Sequence, residues 1–277
     1  MYIINYQNKL MKLSIGTAQF GLKYGICNKD GIVKKNQVKK IIEYCKLNNI
    51  NSIDTAQGYG KSHKVLSSFN LKKFYITTKI SKIKKINNKN LENLVSLEVN
   101  KILKELNINK LYALLIHNTN QLKGKFGINF YKILQKLKKK KKFIKLGVSV
   151  YTKKELDFVL NNFNIDIVNL PVSVANQEFC QKKYLLRLKK KNIEIHARSI
   201  FLQGLLLSKF KYLPKRFKNN KFFLEWFRWL KNNNHNSLEA SLGFIKNIKY
   251  INKIVIGVDN FHQLKMILKA YKKSIKF

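Results

Sequence analysis

Proline is nearly missing from this chain of 277 residues: only Pro171 and Pro214 occur. No Pro-rich or Gly/Ser-rich linker and no shift of composition marks a boundary, so the chain reads as one domain over 1–277, with 1–11 a disordered or peripheral extension. Cysteine is scarce as well. Cys27, Cys45 and Cys180 are odd in number, far apart and never in CxxC form. That spacing argues against a disulfide framework and against a zinc site, and it predicts a reducing compartment and no bound metal. No run approaches the roughly 18 uninterrupted apolar residues of a membrane helix, and MYIINYQNKLMK lacks the apolar centre of a secretory leader. The expected location is the cytoplasm.

Acidic side chains and arginine are the other shortages. Fourteen acidic residues stand against 56 basic ones, a net charge of +42. Only Arg187, Arg198, Arg216 and Arg228 carry a guanidinium, and base-edge readers lean on that bidentate fork. No specific nucleic-acid partner is therefore expected. The lysines are spread over every helix-like segment, in company with Asn, Ile, Phe and Tyr, all residues of A/T-rich codons. The excess reads as a solvated coat from a biased genome, with weak, salt-sensitive attraction to polyanions following from charge alone. A selected polyanion-binding surface is the alternative.

What the chain does have is an alternation of short apolar, β-branched runs with longer stretches of helical period. The runs are KLSIGT, INSIDT, FYITTKI, LYALLIH, IKLGVS, DIVNLP, IEIHARS and KIVIGV. Eight strand–helix units result, the last helix being FHQLKMILKAYKK. Strands that read as near-continuous hydrophobic runs are covered on both faces, and eight such units in this length specify a (β/α)8 TIM barrel, where functional groups gather at the C-terminal strand ends. Five successive runs carry Asp54, Lys79, His117, Ser149 and Asn169 at or near their ends. Turn formers alone would not place a lysine and then a histidine there, and a barrel converges them on one mouth.

The stretches GTAQFGLKYGI, IDTAQGYGKS, TTKI, LLIHN, LGVSVY, HARSIFLQGLLL and VIGVDN, in that order, resemble the successive signatures of the aldo-keto reductases. The resemblance implies a (β/α)8 barrel that binds NADP or NAD, with NADP slightly favoured by the resemblance and not by the residues, without a GxGxxG fingerprint, which no strand of this chain supplies. Its catalytic tetrad falls on Asp54, Tyr59, Lys79 and His117. Reduction of a carbonyl builds negative charge on oxygen, which Tyr59 would protonate. Lys79, held charged by Asp54, would favour release of that proton, and His117 would hydrogen-bond the substrate oxygen. On the cofactor side the resemblance implies contacts from Gly16, Thr17, Ser149, Asn169, Arg198, Ser199, Gly204, Gly257 and Gln263. Arg198 stands where the family often stacks an aromatic on the nicotinamide. Val258, Asp259 and Asn260 occupy the loop where a 2′-phosphate cation is expected, with Lys265 nearby.

The implied substrate is a small aldehyde, ketone or sugar, and short members opening on GTAQFGLKYGI resemble proteins of bacterial surface-carbohydrate metabolism. A monomer or weak oligomer is expected. Two other readings of the same residues stay open: a Schiff-base aldolase using Lys79, and a catalytically idle barrel serving as an interaction subunit. Three further expectations are structural. His63 should be structural and His196 a satisfied core residue; Lys141 stands where the family often has Gly, and costs about 1 kcal/mol if the helix there ends in a left-handed residue; and KFFLEWFRWLKNNN, 221–234, should form an amphipathic helix seated on the barrel or else a wall of the pocket.

Overall fold

The computed structural model describes residues 11–83 and 88–273; the extension expected over 1–11 lies, except for Met11, outside them. Eight parallel strands close a barrel in chain order: β1 (Leu13–Gly16), β2 (Ser52–Asp54), β3 (Tyr75–Ile80), β4 (Leu111–Ile116), β5 (Phe143–Ser149), β6 (Ile167–Pro171), β7 (Glu194–Arg198) and β8 (Lys253–Gly257). The helices in order are α1 (Ala18–Gly21), α2 (Lys35–Leu47), α3 (Ser62–Leu66), α4 (Asn88–Leu106), α5 (Gly124–Lys139), α6 (Lys153–Asn162), α7 (Lys182–Lys190), α8 (Lys215–Lys218), α9 (Lys221–Asn232), α10 (Ser237–Asn247) and α11 (Phe261–Lys272). Each of the eight apolar runs coincides with one strand, β5 starting one residue earlier at Phe143, so the TIM-barrel reading holds. Among the described residues no helix is long and apolar enough to cross a membrane.

The main core lies between the strands and their helices. In α4, for example, Leu91, Val95, Val99, Ile102 and Leu106 recur at helical spacing and are buried against it. Ala113, Leu115 and Ile167 form a separate cluster, on the strand faces that period-two alternation turns into the barrel. Toward the N-terminal strand ends Glu194 gathers His196, Tyr112 and Lys145, the histidine at 2.7 Å and the phenol at 2.6 Å. His196 is thus a core residue, as expected.

The aromatic segment 221–234 folds as α9, whose Phe223, Trp226 and Leu230 are buried with Leu205, Leu206 and Leu213 of the stretch after β7. Trp226 Nε1 donates to the carbonyl of Leu206 at 3.3 Å. No α9 residue is on the wall of the main cleft, so the amphipathic seat is the arrangement found and the pocket wall is not.

At the end of α5, Lys141 has φ of 59°, and the amides of Lys141 and Lys142 bond back to the carbonyls of Lys138 and Leu137 at 2.8 and 3.2 Å. This is the left-handed helix stop that favours glycine. Lys141→Gly is therefore expected to stabilise the protein by about 1 kcal/mol, relieving the Cβ strain, without altering any ligand affinity; urea denaturation of the two proteins checks it.

Candidate active site

Alternation along β3 sets up the site. Ile76 and Ile80 pack into the outer core and Thr78 bonds His63 on the same side, so Thr77 and Lys79 face the barrel interior. The register pairs Asp54 at the end of β2 with Thr77, one inward position below Lys79. The lysine is 1% exposed. Its Nζ donates to Asp54 Oδ1 at 2.5 Å, to the carbonyl of Thr55 at 3.1 Å and to the Tyr59 hydroxyl at 3.3 Å. Asp54 Oδ2 accepts from Asn169 Nδ2 at 2.9 Å, so both carboxylate oxygens are engaged. Burial alone would push the ammonium down, but Asp54 and Tyr59 beside it outweigh burial and hold Lys79 above the ordinary lysine value.

His117 follows β4, and its ring stands nearly perpendicular to that of Tyr59, centroids 6.3 Å apart. Burial, and next the Lys79 charge, push its pKa down to about 4. At neutral pH it is a neutral imidazole with one N–H to give. Asp54, Lys79 and His117 from the strand ends and Tyr59 from the connection after β2 are thus brought together at one mouth.

Glycine places Tyr59. A Cβ on Gly21 would lie 1.9 Å from the carbonyl oxygen of Tyr59, and one on Gly60, where φ is 56°, would lie 2.5 Å from that of Gly21. The two segments touch backbone to backbone, which no side chain permits. Behind them Ser62 Oγ donates to Thr17 Oγ1 at 2.8 Å, and Thr17 Oγ1 donates to the carbonyl of Asp54 at 3.2 Å. His63 braces the next layer, its ring nitrogens 3.0 Å from Glu105 and 3.0 Å from Thr78, a structural residue as expected.

A cleft of about 720 Å³ runs from this group across the barrel mouth. Gly16, Ser149, Arg198, Ser199, Gly204, Gly257 and Gln263 line it, as do all four tetrad residues. Thr17 and Asn169 do not. Thr17 is turned into the hydroxyl chain behind Asp54, and Asn169 is fully buried, with its amide nitrogen given to Asp54. Tyr24, Tyr151 and Gln19 are wall residues not picked out from the sequence; the two tyrosines sit on connections and Gln19 in the four-residue α1, too short for a period to mark it.

The wall suits a nicotinamide dinucleotide. Ser149 Oγ is buried and has no hydrogen-bond partner among the described residues, and a carboxamide would supply one. After β7, Ser199, Leu202, Gln203 and Gly204 all have positive φ, at 60°, 48°, 55° and 91°. Turns containing left-handed residues direct backbone N–H groups into anion-binding concavities, and non-glycine residues kept in that region cluster at functional sites. A Cβ on Gly204 would meet Cys27 at 2.8 Å, so the connection after β1 crosses over this turn. At the end of β8 the Asp259 amide donates to Gln263 Oε1 at 2.8 Å. Among the described residues no cluster of His, Cys, Asp and Glu could hold a metal ion.

The sequence matches the model of the aldo/keto reductase family over residues 12–276. Comparison with curated proteins returns no match. Among solved structures, the fold is similar to the holo form of the aldo-keto reductase AKR11C1 from Bacillus halodurans, at TM-score 0.74 and 14% identity over 96% of this chain and 88% of that one. It is also similar to the glycerol dehydrogenase AKR11B4 from Gluconobacter oxydans, at TM-score 0.71 and 18% identity over 96% and 88%.

Proposed function

Because the chain belongs to the aldo/keto reductase family, we propose that it is an oxidoreductase that reduces the carbonyl of a small aldehyde, ketone or sugar, reversibly, with NADH or NADPH. One observation carries the reading: a buried ammonium hydrogen-bonded at once to Asp54 and to the hydroxyl of Tyr59, with a neutral His117 beside them on a cleft.

The bound dinucleotide supplies the hydride. Ser149, Ser199 and Gly204 of the turn after β7, Gly257 and Gln263 would hold it, with Arg198 and Gly16 on the same wall. Asn169, and behind it Thr17, serve by fixing Asp54. His117 gives its N–H to the substrate oxygen and orients the carbonyl. As charge grows on that oxygen, Tyr59 transfers its hydroxyl proton there, and the phenolate left behind is stabilised by the Lys79 ammonium. Asp54 keeps that ammonium charged and aimed. In the reverse direction the same groups take the proton from an alcohol.

The Schiff-base reading needs a neutral amine as nucleophile. Lys79 is held charged by Asp54 and Tyr59, the opposite state, and this favours the reductase. A site with no chemistry to do would have no use for the buried Asp54–Lys79–Tyr59 chain.

Between the two cofactors we favour NADH. Asp259 lines the cleft end beyond Gly257; burial raises its pKa and the nearby Asp30 charge adds to that. Asn260 donates to Asp30 at 3.3 Å. Lys265 is drawn 5.2 Å over the Phe261 ring, and Lys29 5.4 Å over that of Tyr212. An extra phosphate dianion would meet carboxylates there. Fluorescence titration should give a dissociation constant about tenfold lower for NADH than for NADPH, roughly 1.4 kcal/mol. Binding of neither would overturn the reductase reading itself.

A further inference from the structure

The groups around the carbonyl position are almost all hydrogen-bond donors. Tyr24, Tyr59, His117, Tyr151 and Arg198 line that end of the cleft. Among the described residues the only carboxylates on its wall are Asp54 and Asp259. Asp54 is fully engaged by Lys79 and Asn169, and Asp259 lies at the far end by β8. Glu155, beside Tyr151 in an adjoining hollow, spends its carboxylate on the amides of Tyr151 and Thr152.

Arg198 is the fixed cation in this ring. Its guanidinium carbon lies 4.2 Å over the Tyr151 ring. Nη2 donates to the carbonyl of Val150 at 3.0 Å and Nη1 to Ser199 Oγ at 3.3 Å. Both the stack and the Val150 bond turn it toward β5, away from the β8 end where Gly257 and Gln263 stand. Two of its five N–H groups are so used. No ion pair among the described residues involves it. Its charge bears on both His117 and Tyr24, the first of which faces the carbonyl. A pinned guanidinium with no carboxylate partner, among donors, is complementary to an anion.

We propose that the substrate is an anionic carbonyl compound, an oxo acid or an acidic sugar, whose carboxylate is bound by Arg198 where that side chain stacks on Tyr151. This deepens the reductase reading and rests on it for the identity of the reacting group. The carboxylate would accept from the remaining guanidinium N–H groups while the carbonyl oxygen lies between Tyr59 and His117.

Binding, not turnover, tests it. The NADH-loaded protein, or the bare protein if NADH does not bind, is titrated calorimetrically at 0.15 M salt with two matched pairs: pyruvate against acetone, and D-glucuronate against D-glucose. At least one acid should bind about tenfold or more tightly than its neutral partner, the range of a charge-assisted bond. Pyruvate showing the gain would put the charge next to the carbonyl, glucuronate further away. Arg198→Gln should bring the ratio to about one, and Arg198→Lys should keep part of it, whereas Arg228→Gln, an exposed position of α9, should leave it unchanged. Equal affinity within both pairs overturns the proposal. So does a ratio that survives Arg198→Gln, or one that falls equally with Arg228→Gln, which would assign it to the general positive field. Acids preferred through Arg198 without any hydride transfer would instead sink the reductase reading and leave the anion site standing.

Discussion

Tyr59→Phe is expected to lower kcat/KM for carbonyl reduction by about 10²–10⁴-fold, the usual contribution of a positioned general acid, while the dissociation constant for NADH changes by less than about threefold. The hydroxyl is the acceptor of one Lys79 bond, and its loss leaves the ammonium with Asp54 and the Thr55 carbonyl. The ring stays, with its perpendicular contact to His117. Chemistry should therefore fail in a protein that folds and binds cofactor as before. Steady-state kinetics beside a fluorescence titration separates the two, and a deuterium-labelled cofactor adds a further readout: the isotope effect should rise as the reaction step becomes slowest. A Phe variant with undiminished turnover would give the proton to another group, and with it the reading of the whole site would go.

Much of this was legible without coordinates, for a definable reason. Strands buried on both faces read as apolar runs, and a barrel sends their last residues to one place, so Asp54, Lys79 and His117 could be set side by side from spacing alone. The family resemblance added Tyr59, which lies on a connection. Depth and direction were not legible. Thr17 and Asn169 also end or follow strands, yet they turn behind Asp54, because an inward position one step below the rim meets its neighbours before it meets the cleft. Tyr24 and Tyr151 sit on connections with no period to mark them. The stack of Arg198 on Tyr151 joins the ends of two strands that are not neighbours in the sheet, and no local pattern records such a contact.

Removing the ammonium should do what removing the phenol does not. Lys79→Met leaves the Asp54 carboxylate buried, 2% exposed, with only Asn169 Nδ2 at 2.9 Å on its outer oxygen. Breaking a buried pair from one side costs about 3–5 kcal/mol, so this variant loses stability as well as activity. Asp54→Asn combined with Lys79→Met removes the stranded charge and should regain most of that stability with no return of turnover. Histidine reports the same change. Lys79 is, after burial, the main influence holding the His117 pKa at about 4. With the cation gone and Asp54 unpaired, that pKa should rise, which the ring proton resonances follow directly. The sign carries into stability. A histidine charged near ~6.5 when unfolded but only near 4 when folded takes up its proton first in the unfolded chain, so stability is lost as pH falls from 6.5 toward 4. In Lys79→Met that window narrows, and the acid-side loss measured by urea titration should shrink relative to wild type. An unchanged His117 titration would mean that the ammonium does not govern the electrostatics of this mouth.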